Sequence, residues 1–179
     1  AWREYNLNLI ANGNDFTTAG HPGIEVRVTD EGVSARRKSD GKGIRWYTPE
    51  RPSPNKDRAA FAQHGLDWEY TVVHGGLKME ATVAASRGPQ TYTFTYKLLG
   101  QDGVLTIDGA GNAVGEGLVI PKPVVIGANG VMYPTSYWEV VAGPRLSFAF
   151  DDTRLPAAAY PYIIDPTSTF QPAPGNDVD

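Results

Sequence analysis

The residues able to do chemistry are few, and their spacing suits no familiar reaction. The chain holds three histidines, His21, His64 and His74, and no cysteine. Without cysteine there is no thiolate nucleophile, no thiolate metal ligand and no disulfide. The histidines stand in neither an HxH nor an HExxH spacing, so no zinc site is written here. His64 lies close to Asp67, but no serine sits in a GxSxG turn, so a nucleophile–base–acid relay lacks its nucleophile. His74 stands before Gly75-Gly76 and reads as a turn residue.

The carboxylates give no clearer signal. Glycoside hydrolysis needs two carboxyl groups flanking one bond. Asp151 and Asp152 are adjacent, and on a strand they point to opposite faces. Glu69 and Glu80 fall on the polar faces of successive strands beside Lys78, where solvated sheet charge accounts for them. The run DGAGNAVGEG, residues 108–117, lacks both the glycine spacing of a dinucleotide fingerprint and the alternating carboxylates of an EF-hand. Asp108, Asn112 and Glu116 are the oxygen ligands it offers, and a hairpin turn is its ordinary reading. The expectation is a protein that is not an enzyme and carries neither cofactor nor metal.

Charge and composition bound the partners. Lys and Arg number 16 against 20 Asp and Glu, a net charge of -4. The one basic run, Arg36-Arg37-Lys38, is flanked by Asp30, Glu31 and Asp40 and reads as a solvated hairpin end, so no nucleic acid is expected. No apolar run approaches the ~18 residues of a membrane span, so membrane insertion is not expected either. The 20 glycines and 14 prolines argue for many turns and against long helices.

The elements that must position these side chains are short strands. Leu66, Trp68, Tyr70 and Val72 alternate with polar residues; so do Leu77, Met79, Ala81 and Val83, and then Tyr92, Phe94 and Tyr96. Turns at His74-Gly75-Gly76 and Arg87-Gly88-Pro89 separate them, which makes a three-stranded antiparallel meander with one buried and one wet face. Further strands are read at residues 5–10, 24–29, 33–37, 44–48, 103–108, 113–120, 124–127, 131–133, 136–142, 145–150 and 160–164. Pro121 and Pro123 mark the piece that follows them as an edge or a crossing. Residues 57–63 alone have helical character. The fold class expected is all-β, an antiparallel β-sandwich, jelly-roll-like or Ig-like, with one short helix at most.

Residues 1–166 form the single domain in this reading, with 1–65 its less certain part, and 167–179 form an extended C-terminal arm. The arm has too little apolar surface for a core, and Pro172 and Pro174 favour an extended chain. A dozen ordered residues need a partner surface to offset about 1–2 kcal/mol of backbone entropy each. Phe170, Pro172, Pro174 and, at the other end, Trp2 are therefore the candidate interface residues, with Phe170 entering an apolar pocket on a neighbouring chain. Trp46, Tyr47, Tyr137 and Trp138 are assigned to core or interface ahead of a sugar platform.

Ala159-Tyr160-Pro161-Tyr162-Ile163-Ile164-Asp165-Pro166-Thr167 resembles the "A-x-YPvxIDPT" closing motif of β-rich modules in secreted bacterial repeat and surface proteins and in phage virion proteins. The hairpin Trp68-Glu69-Tyr70-Thr71-Val72 with Gly76-Leu77-Lys78-Met79-Glu80, and the piece Tyr92-Thr93-Phe94-Thr95-Tyr96, are similar to the body of such modules. Pro121 to Gly130 is similar to their "iP-x-P-x-v-x-D-x-x-G" stretch, with Ala128-Asn129-Gly130 in place of the usual Asp-x-x-Gly. The resemblance spans residues 66–167 and implies a non-catalytic structural module. In the secreted proteins the motif leads into further domains; here only the arm follows, which favours an assembly subunit. The function expected is a structural subunit of a large assembly, in a virion or at the cell surface or outside it. Its partners would be copies of itself or a shell or tube protein. An adhesion or carbohydrate-binding module is the alternative.

Overall fold

The chain shuttles between two antiparallel sheets. In the computed structural model, which describes residues 6–170, the first sheet opens with β1 (Leu9–Asn12), β2 (Asp15–Thr18), β3 (Ile24–Thr29), β4 (Gly32–Arg37) and β5 (Gly43–Tyr47). The second sheet begins with β6 (Ser53–Asn55), β7 (Arg58–Gln63), β8 (Leu66–Val73) and β9 (Gly76–Val83). β10 (Pro89–Leu99) returns to the first sheet. β11 (Thr106–Ile107), β12 (Ala113–Gly115), β13 (Leu118–Ile120), β14 (Val124–Ile126) and β15 (Met132–Pro134) belong to the second. β16 (Glu139–Val141) and β17 (Arg145–Asp151) complete the first sheet, and β18 (Tyr162–Asp165) and β19 (Thr167–Phe170) the second. The helical content of the described residues is one 3-10 turn, Ala157–Ala159. The fold is all-β, an antiparallel β-sandwich.

Period-two alternation builds the core. β8, β9 and β10 turn Trp68, Tyr70, Met79, Ala81, Tyr92, Phe94 and Tyr96 inward, as their spacing predicts. The sheets meet through aromatic rings: Trp68 of β8 lies edge-on to Phe94 of β10 at 5.2 Å, and Phe150 of β17 to Tyr162 of β18 at 5.6 Å. Such pairs add about 0.5–1.5 kcal/mol each beyond the area they bury. Trp46 and Trp138 join the same cluster, which makes them core residues.

Three sequence expectations are corrected or narrowed. Residues 57–63 give no helix but the strand β7, in which Ala59 and Phe61 are buried while Ala60 and Ala62 are exposed. Phe61 stacks on Tyr70 at 5.0 Å, and pairing to β8 overrides the helical preference of alanine. The piece after Pro121 and Pro123 is the crossing rather than the edge, since the link passes from β13 over β19, β9 and β18, and β14 pairs with β18 on one side and β15 on the other. Its prolines lie in the link before the ladder, so their missing N–H groups cost no sheet bond.

The third correction concerns the arm. β18 and β19 run along the same side of β9 in one unbroken register, from Tyr162 opposite Val83 to Thr169 opposite Gly76. Pro166 interrupts them but still accepts a bond from the Met79 amide. Gly76 permits the close approach, because a Cβ there would fall 1.9 Å from the Ser168 carbonyl oxygen. Residues 167–170 are thus part of the sandwich, and the domain boundary at 166 falls inside a strand line.

Candidate functional site

The histidines are engaged with backbone. His21 is buried; its Nδ1 accepts from the amides of Gly23 and Ile24 at 3.1 and 3.0 Å, so its Nε2–H donates to the Val73 carbonyl at 3.1 Å. This fixes one neutral tautomer. Burial depresses its pKa, and the backbone bonds to Val73 and His74 oppose that without reversing it. His64 sits in the left-handed region at φ 55°, in the β7–β8 turn. Its Nε2 lies 2.9 Å from the Thr93 carbonyl and 3.2 Å from the Thr93 amide, and its ring meets Tyr92 and Phe94 edge-on at 5.6 Å. It closes the stretch of β10 that β5 does not reach. His74 is exposed in the β8–β9 turn, 6.4 Å from the His21 ring.

Asp151 and Asp152 do face opposite ways, and Asp152 has a role that the sequence did not mark. Asp151 is exposed, but Asp152 is only 1% exposed. It accepts from Ser86 Oγ at 2.7 Å, the amides of Arg87 and Gly88 at 2.8 Å, and the Tyr162 hydroxyl at 2.9 Å. Burial works against its ionisation, but the Arg87 amide, the Ser86 and Tyr162 hydroxyls and the Gly88 amide together hold its pKa below the usual carboxylate range. The side chain ties the β9–β10 turn to the end of β17 and to β18. Its partners Ser86, Arg87 and Gly88 are 64 to 66 residues away in sequence, so no local pattern marks it.

The 108–117 loop folds on itself. Asp108 accepts from the amides of Ala110 and Asn112 and from the Asn112 side chain, and Asn112 Oδ1 accepts from the Lys122 amide. Glu116 pairs instead with Lys42. Glu69 and Glu80 are directly opposite on β8 and β9, but Arg58 neutralises the first at 3.0 Å and Lys78 the second at 3.4 Å. Among the described residues no three His, Asp or Glu side chains are grouped to hold a metal ion. Nor is any helix of the described residues long and apolar enough to cross a membrane.

The basic run is not a solvated end throughout. Arg36 is exposed, but Arg37 is buried and pairs with Asp40, and Lys38 donates to the His21 carbonyl at 2.6 Å. Arg37 is drawn inward because Gly117 leaves room for it; a Cβ there would fall 2.2 Å from the guanidinium.

Of the candidate interface residues, Trp2, Pro172 and Pro174 lie outside the described residues. Phe170 pairs with Leu118 of β13 and packs half-buried against the chain's own core. It therefore packs against its own sandwich.

Of the exposed large apolar residues that sequence reasoning missed, Val131 and Met132 lie at the far edge of the second sheet, whereas Ile10 and Val104 lie elsewhere. β15 pairs only with β14 among the described residues. On the outward face Met132 stands opposite Ile126, and Ile126 opposite Ile163, so three apolar side chains form one row ending at that edge. Met132 is 65% exposed and the preceding Val131 46%. Reading the strands singly hides this row, because it exists only once β15, β14 and β18 are in register. Elsewhere Tyr137 is 54% exposed, with Lys122 Nζ 5.3 Å from its ring centre.

No family model, curated protein or solved structure matches the chain.

Proposed function

We propose that the chain is a non-catalytic structural subunit of a large assembly, such as a virion or an extracellular filament, and that it joins a neighbouring copy through β15. The observation that carries this reading is the apolar row Ile163–Ile126–Met132 running out to a strand edge that no other strand of the described residues covers. The edge offers backbone acceptors and, Pro134 excepted, donors to a further strand, and an apolar rim adds burial. A two-fold axis beside β15 would set two such edges antiparallel and continue the row from copy to copy. The commitment of His21, His64 and Asp152 to holding loops in place supports a scaffold over a catalyst. The resemblance of residues 159–167 to the closing motif of structural modules points the same way.

The test is sedimentation of the wild-type chain and of Met132→Glu over a wide concentration range. Concentration-dependent association in the first and its loss in the second support the reading. A second reading, a carbohydrate-binding module, draws on the half-exposed ring of Tyr137. Retention on a glycan array that Tyr137→Ala abolishes would select it.

A further inference from the structure

The outward face of the first sheet carries a different feature, far from any use in the fold. Arg27 on β3, Ser34 on β4, Arg45 on β5 and Lys97 on β10 stand successively opposite one another in register. Three cations thus share one row across four strands. Arg45 and Lys97 are direct cross-strand neighbours, an arrangement that weakens a sheet. The carboxylates nearby do little to offset it. Asp15 and Glu25 approach Arg27 only to 3.7 and 4.0 Å, and the exposed Glu31 approaches Arg45 only to 4.0 Å. Among the described residues no carboxylate pairs with Lys97. Glu25 is held by Arg36 at 3.0 Å, and Asp40 by Arg37.

The row borders a built depression. Ser34 is small and Gly43, opposite Arg36 in the next row, has no side chain, so the floor is low. A side chain at Gly43 is excluded, since its Cβ would fall 2.0 Å from the Ala35 carbonyl oxygen. Arg27, Arg36, Arg45 and Leu99 wall a cavity of about 390 Å³ over this floor, together with Glu25 and Asp40, whose carboxylates are already taken by Arg36 and Arg37. Arg45 also has a buried Nε with no hydrogen-bond partner. A buried guanidinium N–H without an acceptor is costly unless an acceptor arrives.

We propose that this trough binds an oxyanion, a carboxylate or a sulfate, between Arg27 and Arg45 above Ser34. An oxyanion accepts two parallel bonds from a guanidinium fork, which would satisfy the orphan Arg45 donor and relieve the Arg45–Lys97 opposition in one step. The volume admits a sugar-sized ligand, and Leu99 gives it one apolar wall. This proposal stands apart from the β15 edge, which lies on the other sheet.

The experiment is a titration of ¹⁵N-labelled protein followed at the arginine Nε–H resonances. The probes are sodium sulfate, glucuronate and glucose, with chloride at matched ionic strength as reference. Sulfate or glucuronate should shift Arg45 and Arg27 saturably, while chloride and glucose do not. Arg45→Met should weaken binding at least about tenfold, as loss of a charged bidentate contact does, and Arg58→Met, on the other sheet, should not. Because Arg45→Met removes the orphan donor and the like-charge opposition while keeping an apolar stem, its melting temperature should be unchanged or higher. Tighter binding of glucuronate than of sulfate would mark a ring-borne carboxylate; equal binding would mark a free anion. Lys97→Met, at an exposed position, provides a second variant with the same expected direction. The proposal is overturned if no anion gives a saturable shift, if Arg58 and Arg154 shift as much as Arg45, or if glucose binds as well as glucuronate.

Discussion

His21 and Asp152 show how single polar side chains become structural when backbone surrounds them. His21 uses both ring nitrogens on the main chain, so charging it requires breaking the bonds that Nδ1 accepts. Its folded pKa is depressed, so the unfolded chain binds more protons in the range below the ordinary histidine value. The stability it contributes is therefore present above about pH 6.5 and is lost as pH falls below that. Melting temperature should decline from about pH 7 to about pH 5, and His21→Asn should flatten that slope. A slope unchanged in the variant would place the titration elsewhere. Asp152 is a depressed carboxylate, so its contribution is full above about pH 3.9 and is lost as pH falls through its lower folded value. Asp152→Ala leaves two part-buried amides and the Ser86 and Tyr162 hydroxyls without their acceptor, and should cost on the order of 3 kcal/mol in chemical denaturation.

At the scale of elements, alternation was legible and pairing was not. β3, β8, β9 and β10 follow from period two in the sequence, and Phe94 is buried as that period requires. Phe94→Ala should cost about 3–5 kcal/mol. Thr93→Ser should cost well under about 1 kcal/mol, since it keeps the hydroxyl that meets Ser147 Oγ at 3.2 Å. Equal melting shifts would contradict the register. β7 was hidden because its alanines favour helix and only its neighbours make it a strand. β19 was hidden because Thr167-Ser168-Thr169-Phe170 has one large apolar residue, and its strand identity comes from β9 and β13 on either side. Removal of residues 168–179 should therefore lower the melting temperature of the isolated chain, because Ser168 and Phe170 leave the sheet. An unchanged melting temperature would restore the free-arm reading.

For the whole molecule, the sandwich class was readable from composition and turn spacing, whereas the surfaces were not. The cationic row on one sheet and the apolar row on the other are both cross-strand features, created by register between residues as distant as Ile126 and Ile163 or Arg45 and Lys97. One sequence position says nothing of either. The assembly reading depends on the apolar row at β15, and sedimentation equilibrium tests it most directly. The account predicts that wild-type protein associates reversibly as concentration rises, and that Met132→Glu remains a folded monomer under the same conditions. A wild-type chain that stays monomeric at every concentration, or a Met132→Glu chain that associates as strongly as wild type, would contradict it.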